Sequence, residues 1–403
     1  MKQLVIILFL IGLSTLCFAQ QTIYGSITHD EMLREYILYI PANYTGNSPV
    51  PLILNFHGYN QTADYQMEYG DFRSIADSSG FLIVHPQGTL FQGITHWNVG
   101  GWIIGSPIDD VGFTEALLDS LSSDFSIDST RIYSTGFSNG GYMGFLLVCQ
   151  LSDRIAAIAS VAGSMTPETL SNSNPQHPTP IIQMHGDSDT VVPYNGTWWS
   201  EPIEDVIQYW VGYNNCNATP TITELPDIDP NDGSTIELIA YDEGDNGVSV
   251  EHYKVIDGGH SWPGTTYEYG LPYTNYDINA SEEIWNFFSR YDINGLINPV
   301  GIEVSNEITS VKFELSQNYP NPFNPETTIS FSVTQTSSFV TLNIYNIKGQ
   351  QVKQLISEQL PAGQHSVIWN GKDDNGKFVS TGIYFYKLKT ENFEKTRKMI
   401  LLK

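Results

Sequence analysis

Residues 136–140 read Gly-Phe-Ser-Asn-Gly, and this G-x-S-x-G stretch limits what the chain can fold into more than any other. An apolar, β-favouring run, Arg131 to Thr135, leads into it. A segment with helical character, Tyr142 to Gln150, leads out. A strand that turns directly into a helix makes a sharp corner. A side chain at 136 or 140 would collide with neighbouring backbone, and a serine in the corner sits in a strained conformation that projects its hydroxyl. Glycine and serine are common, so five residues alone carry little weight. The weight comes from two residues further along the chain: an aspartate in a loop after a later strand, then a histidine in a loop after the last strand.

Apolar β-like runs alternate with helical patterns from about residue 36 to 290. Pro51 to Phe56 and Phe81 to Val84 are expected as buried strands, ending at His57-Gly58 and His85-Pro86. Asp110 to Ser123 has helical spacing, with Val111, Phe113, Leu117, Leu118 and Leu121 on its apolar side. Ile155 to Val161, Pro180 to Met184 and Val250 to Ile256 read as further strands, and Ser281 to Tyr291 as a final helix. Repeated strand–helix units predict a doubly wound, mostly parallel sheet covered on both faces. Loops at the carboxyl ends of such strands collect at one edge, where ligands bind. Beyond residue 293 the texture changes. Residues 294–312 read as a linker, and residues 313–403 as a small β-sandwich with strands at 328–333, 340–345, 365–369 and 382–388.

The chain carries a net charge of −26, unevenly spread. Residues 1–311 hold 7 Lys and Arg against 37 Asp and Glu, whereas residues 312–403 hold 11 against 7. Such a shift marks a domain boundary. An acidic first part argues against nucleic acid as a partner. Residues 1–19 read as a signal peptide: Lys2, an apolar run from Leu4 to Leu16, then Cys17-Phe18-Ala19 before Gln20. That run is short for a membrane span, and no other segment of the sequence is apolar enough for one. Past the leader two cysteines remain, Cys149 and Cys216, and the sequence leaves open a disulfide or two thiols.

Ser138 is the expected nucleophile, which needs a base to take its proton. His260 is the candidate base, in the glycine-flanked loop Gly258 to Gly264. The acid that orients it comes from the loop His185 to Pro193. Asp189, beside Val191-Val192-Pro193, is the choice over Asp187, which is read as shaping the loop through nearby backbone amides. Two backbone N–H groups must meet the oxyanion. Asn139, after the nucleophile, supplies one, and Tyr59, after His57-Gly58, the other. The order Ser, Asp, His is that of the α/β-hydrolases and of no other common serine-hydrolase fold.

With these residues in view, residues 35–290 resemble the secreted polyhydroxybutyrate depolymerase and feruloyl esterase family, α/β-hydrolases of carbohydrate-esterase type. The matching segments are Phe56-His57-Gly58, Asp109 to Phe113, Ile127-Asp128 with Arg131 to Tyr133, and Gly136 to Gly141. They continue through Ala156 to Ala159, His185 to Asp189 and Gly259 to Gly264. The resemblance implies the triad Ser138, Asp189 and His260, the oxyanion amides of Tyr59 and Asn139, and no cofactor or metal. Many members carry a cysteine where this chain has Tyr59, so a disulfide there is lost. Cys149 and Cys216 match positions that are often cysteine in these esterases. Residues 313–403 resemble the C-terminal sorting domain of type IX secretion through Asn318 to Pro325, Ile344 to Asn346, Ser380 to Phe385 and Lys398-Met399. That implies export by this machinery to the cell surface or beyond.

These resemblances imply a serine esterase acting on feruloyl or acetyl esters of plant polysaccharide, with polyhydroxybutyrate as the alternative polymer. A prolyl-oligopeptidase-like peptidase lacks its propeller repeats here, and a non-catalytic scaffold would not need an intact triad. Trp97, Trp102, Trp198, Trp199 and Trp262 are read as candidates to line a pocket for an aromatic acyl group or a sugar, with Trp262 beside His260, then Trp198 and Trp199, the candidates for substrate contact. Asp227 to Gly233 departs from calcium-loop spacing and reads as a hairpin turn. Asp110 reads as helix capping.

Overall fold

Continuous apolar runs in this chain become strands buried on both faces, and the alternation inside them decides which face each side chain meets. Leu52, Leu54 and Phe56 pack to one side of the sheet, and Ile53 to the other. The computed structural model describes residues 20–101, 105–267, 274–297, 314–318, 321–333, 338–360, 363–390 and 394–402. The expected leader, Trp102, most of the expected linker and Tyr319-Pro320 lie outside the described residues. The chain divides into two compact units, one within residues 1–298 and the other within 299–403.

The first unit holds a ten-stranded sheet. Its strands are β1 (Gln21–His29), β2 (Met32–Ile40), β3 (Val50–Phe56), β4 (Leu82–Pro86) and β5 (Ile127–Phe137). They continue with β6 (Ala157–Val161), β7 (Ile181–Gly186), β8 (Thr221–Glu224), β9 (Thr235–Tyr241) and β10 (Val250–Ile256). The spatial order is β1-β2-β4-β3-β5-β6-β7-β10-β9-β8. The six central strands, from β4 to β10, run parallel. Antiparallel hairpins finish both edges.

Helices cover both faces. On one lie α3 (Asp110–Asp124), α4 (Asn139–Gln150) and α6 (Ile203–Tyr213), packed over Leu38, Leu54, Val84 and Ile158. On the other lie α2 (Arg73–Ser79) and α7 (Ala280–Phe288), packed over Ile53, Ile83, Ala157 and Ile182. Two short helices, α1 (Ala63–Tyr69) and α5 (Pro167–Ser171), lie in connections. This is the α/β-hydrolase fold, with a serine at the corner between β5 and α4.

Two local expectations change. The last helix stops at Phe288, and Tyr291 begins a two-residue strand paired with Gly295–Leu296, its hydroxyl 2.8 Å from Ser249 Oγ. The α3 cap is Asp109, whose Oδ1 accepts from Gly112 N at 2.9 Å; Asp110 is the first helical residue and turns inward. The first hairpin, β1–β2, had no strong apolar run to announce it. Residues 227–233 lie in the connection between β8 and β9, which pair antiparallel.

The second unit packs a three-stranded sheet (Glu314–Leu315, Thr327–Val333, Gly363–Trp369) with a four-stranded one (Ser338–Asn346, Gln351–Leu360, Gly382–Lys389, Glu394–Leu401). All pairings in both sheets are antiparallel. Ile329, Phe331 and Trp369 meet Leu342, Ile344 and Met399 in its core. Tyr384 and Tyr386 are buried there too, their hydroxyls donating to Ser380 O and Ser316 O at 2.7 Å, so neither is an exposed sugar platform.

Candidate active site

Ser138 stands alone between the end of β5 and the start of α4, with φ 53° and ψ −116°. Non-glycine residues avoid this region, so the surroundings must hold it there. Its amide donates to Val161 O at 2.8 Å, and its carbonyl accepts from Gly141 N at 2.8 Å and Tyr142 N at 3.2 Å. The flanking glycines are required by close approach. A Cβ on Gly140 would stand 2.1 Å from Phe56 O, and one on Gly136 would stand 2.7 Å from Gly140 O and Phe56 O.

Asp189 lies in the loop after β7, its carboxylate fully buried. Oδ1 accepts from Val191 N at 2.8 Å and Val192 N at 2.9 Å. Oδ2 accepts from His260 Nδ1 at 2.7 Å and lies 3.3 Å from His185 Nε2. Burial by itself would favour the protonated acid. Hydrogen bonds from His185 and His260 outweigh it and hold the carboxyl well below the usual range. His260 reaches this point from the loop after β10. Its ring packs on Phe137, the residue before Ser138, at 4.8 Å between centroids. With Nδ1 bound to the acid, Nε2 is the nitrogen left to exchange a proton.

The structure therefore brings Asp189, and not Asp187, to the histidine. Asp187 does bond a backbone amide, but that of Asp257 at 2.8 Å, seventy residues away. It ties the acid loop to the histidine loop, together with Ser188 N, which donates to Gly258 O at 3.1 Å.

Tyr59 and Asn139 come from separate elements. Asn139 is the first residue of α4, where amides have no partner within the helix. Tyr59 follows β3, and the direction of its N–H is set by the planar peptide it shares with Gly58. Gly58 O is held by His57 Nδ1 at 2.7 Å and by Gln61 N at 3.2 Å. His57 is fully buried, and its Nε2 accepts from Gly88 N at 2.9 Å. The proton therefore sits on Nδ1, and burial pushes the ring's pKa down to about 4, which keeps it neutral at neutral pH. Sequence reasoning assigned the His57 ring no role beyond the strand end that precedes Tyr59. It also missed His185, whose Nδ1 accepts from Gln183 Nε2 at 3.1 Å, so that its Nε2 donates to Val192 O at 2.9 Å beside Asp189. The shared signal is a histidine at or just past the end of an apolar strand.

The tryptophans divide. Trp262 is 1% exposed, its amide donating to Tyr69 Oη at 3.0 Å and its indole to Ser281 Oγ at 3.3 Å. It anchors the histidine loop in the core, which corrects its reading as the leading substrate contact. Trp198 is 77% exposed, and Trp199 is half-buried against Tyr142 of α4. Cys149 and Cys216 are both free; Cys149 Sγ lies 3.0 Å from Ser173 Oγ. Among the described residues, His29, Asp30 and Asp109 form one group with metal-ligand spacing, built from the first hairpin and the α3 cap; none of them belongs to the Ser138 site.

Comparison with known proteins adds relatives to this geometry. Residues 112–206 match the phospholipase/carboxylesterase family, and residues 317–393 the FlgD Ig-like domain. The chain is 29% identical over 269 residues to a bifunctional acetylxylan esterase/xylanase of Neocallimastix patriciarum, covering 66% of this chain and 35% of that protein. It is 29% identical over 239 residues to feruloyl esterase B of Piromyces equi, covering 57% and 42%. The chain thus spans less than half the length of either. An acetyl xylan esterase from Aspergillus awamori superposes with a TM-score of 0.46 at 13% identity, covering 66% of this chain and 98% of that one. In sequence, the first unit is related to carboxylesterases and the second to an Ig-like module.

Proposed function

We propose that the first unit is a serine esterase that works through an acyl-enzyme. The observation that carries this is the 2.7 Å bond from His260 Nδ1 to a buried Asp189, made beside a corner that holds Ser138 at positive φ. Ser138 Oγ attacks the ester carbonyl carbon while His260 Nε2 takes its proton. The oxyanion rests on the Tyr59 and Asn139 amides. The tetrahedral adduct collapses, the alcohol leaves with the proton from His260, and Ser138 keeps the acyl group. His260 then deprotonates water, which attacks the acyl carbon; the second adduct collapses, the acyl–Oγ bond breaks, His260 returns the proton to Ser138 Oγ, and the acid leaves. Asp189 orients the ring and balances its charge.

The substrates are esters of plant polysaccharide, feruloyl or acetyl, in keeping with the names of the relatives. Trp198 and Trp199 are the tryptophans nearest the acid loop in sequence. The leader directs export, and the second unit acts as a sorting module for type IX secretion, which places the enzyme at the cell surface or outside the cell. Hydrolysis of p-nitrophenyl acetate tests the chemistry: Ser138→Ala abolishes it while the fold persists, and retained activity refutes the assignment. Methyl ferulate, acetylated xylan and polyhydroxybutyrate assayed side by side test the substrate. Turnover of polyhydroxybutyrate alone would reassign the enzyme.

A further inference from the structure

The two amides proposed to hold the oxyanion belong to a loop and a helix start eighty residues apart in sequence, so their spacing must be set by contacts that reach both segments. Trp97 makes such contacts. Its amide donates to Asn139 Oδ1 at 2.7 Å, and Asn139 Nδ2 donates back to Trp97 O at 3.2 Å. Its indole Nε1 donates to His57 O at 2.9 Å. The ring meets Phe56 edge-on at 5.0 Å and His57 at 4.9 Å. Trp97, Asn139 and His57 are all fully buried.

The next residue is fixed in the same manner. Asn98 N donates to Asp110 Oδ2 at 2.7 Å, and Asp110 Oδ1 accepts from Arg34 Nη2 at 2.6 Å. Two successive amides of this segment thus end on buried side-chain oxygens, one at the start of α4 and one at the start of α3. A buried carboxamide without partners costs about 1–3 kcal/mol. Asn139 meets that cost with bonds to residue 97 and none to its own helix, so its side chain adds nothing to α4 that a well-packed leucine would not. What the polar pairing does supply is a register between two loops.

We propose that Trp97 and Asn139 form a clamp that sets the separation and direction of the Tyr59 and Asn139 amides. They act as positioning residues for the charge that develops on the carbonyl oxygen. The inference rests on the esterase reading above. Its chemistry predicts a loss in the transition state and not in substrate binding, because the side-chain contacts of the substrate are untouched.

The test uses the full chain and two variants. Trp97→Phe keeps the aromatic packing and removes the indole N–H. Asn139→Ala removes the carboxamide and keeps the backbone amide. In p-nitrophenyl acetate hydrolysis each lowers kcat by about 10- to 100-fold, less than the 10²–10³ seen for outright loss of a donor, with KM within about twofold. Inhibition by a phenylboronic acid, which forms a tetrahedral serine adduct, weakens in step. The double variant loses little more than the worse single one, because both remove one device. Thermal melting identifies folded variants, and either one suffices if the other fails to fold. Folded variants with kcat within twofold of wild type, or with the loss carried by KM, overturn the clamp. A wild-type protein that neither turns over the ester nor labels with a fluorophosphonate overturns the esterase reading, and the clamp's role with it.

Discussion

Acid should unfold the first unit through its buried histidines, and His85 isolates the effect. His85 lies on β4, 1% exposed, and burial pushes its pKa from about 6.5 down to about 3. His252 on β10 is lowered to about 3, and His57 to about 4, for the same reason. Below pH 6.5 the unfolded chain binds protons at these positions and the folded chain does not. Stability therefore falls as pH drops from about 6.5 toward the folded values, and rises again with pH. Between pH 7 and pH 5 each such histidine removes about 2 kcal/mol. Three together remove about 6 kcal/mol, a large part of the roughly 5–15 kcal/mol that holds a typical domain. His85→Leu takes one of them out without touching the Ser138 site. Urea unfolding followed by tryptophan fluorescence reports the first unit, which holds seven of the eight tryptophans. Wild type should lose about 2 kcal/mol more than His85→Leu between pH 7 and 5. Equal losses, within about 0.5 kcal/mol, would refute the claim that His85 is kept neutral by the fold.

Two glycines one helical turn apart on α4 should respond in opposite ways. A Cβ at 140 meets Phe56 O at 2.1 Å and His57 O at 2.9 Å, both backbone, so Gly140→Ala should cost about 3 kcal/mol or yield insoluble protein. A Cβ at 144 meets only Ser134 Oγ at 3.4 Å, so Gly144→Ala should be neutral or stabilise by up to about 1 kcal/mol through helix propensity; similar melting temperatures for the two would contradict the packing argument. Trp198 touches little, being 77% exposed, so Trp198→Ala should leave the melting temperature unchanged. If Trp198 contacts polymer, the variant raises KM for acetylated xylan several-fold and leaves p-nitrophenyl acetate alone; unchanged KM on xylan removes it from the substrate surface.

The parts of this molecule that were legible in the sequence are those with a local signature. A parallel sheet writes itself as apolar runs, because β3, β4, β6 and β7 are buried on both sides. The corner at Ser138 is legible because only glycine tolerates the 2.1 Å approach of Phe56 O at position 140. The first hairpin was missed for the converse reason. β1 alternates between exposed and partly buried residues, and only the end of β2 is apolar throughout. The cap expected at Asp110 falls to Asp109 because adjacent carboxylates look alike until Arg34, seventy-six residues before Asp110 in sequence, selects one of them.

Identity and orientation are separate questions, and the sequence speaks mainly to the first. Trp262 sits two residues from His260, which made it look like a wall of the pocket. Its direction is decided by Tyr69 and Ser281, whose hydroxyls take its two N–H groups and draw it inward. Likewise His57 is any histidine until Gly88 N occupies Nε2 and forces the proton onto Nδ1, toward Gly58 O. The bonds to Tyr69, Ser281 and Gly88 N join segments that are separated in sequence, so no short window could contain the cause. The cost of a buried polar group left unpaired makes such bonds obligatory once the chain is compact. The positions that hold the proposed oxyanion amides are thus fixed after the sheet has formed, by residues whose importance depends on what lies across from them. That is why the proposed nucleophile, base and acid can be picked from their strand ends, while the groups that would aim them emerge only with the fold.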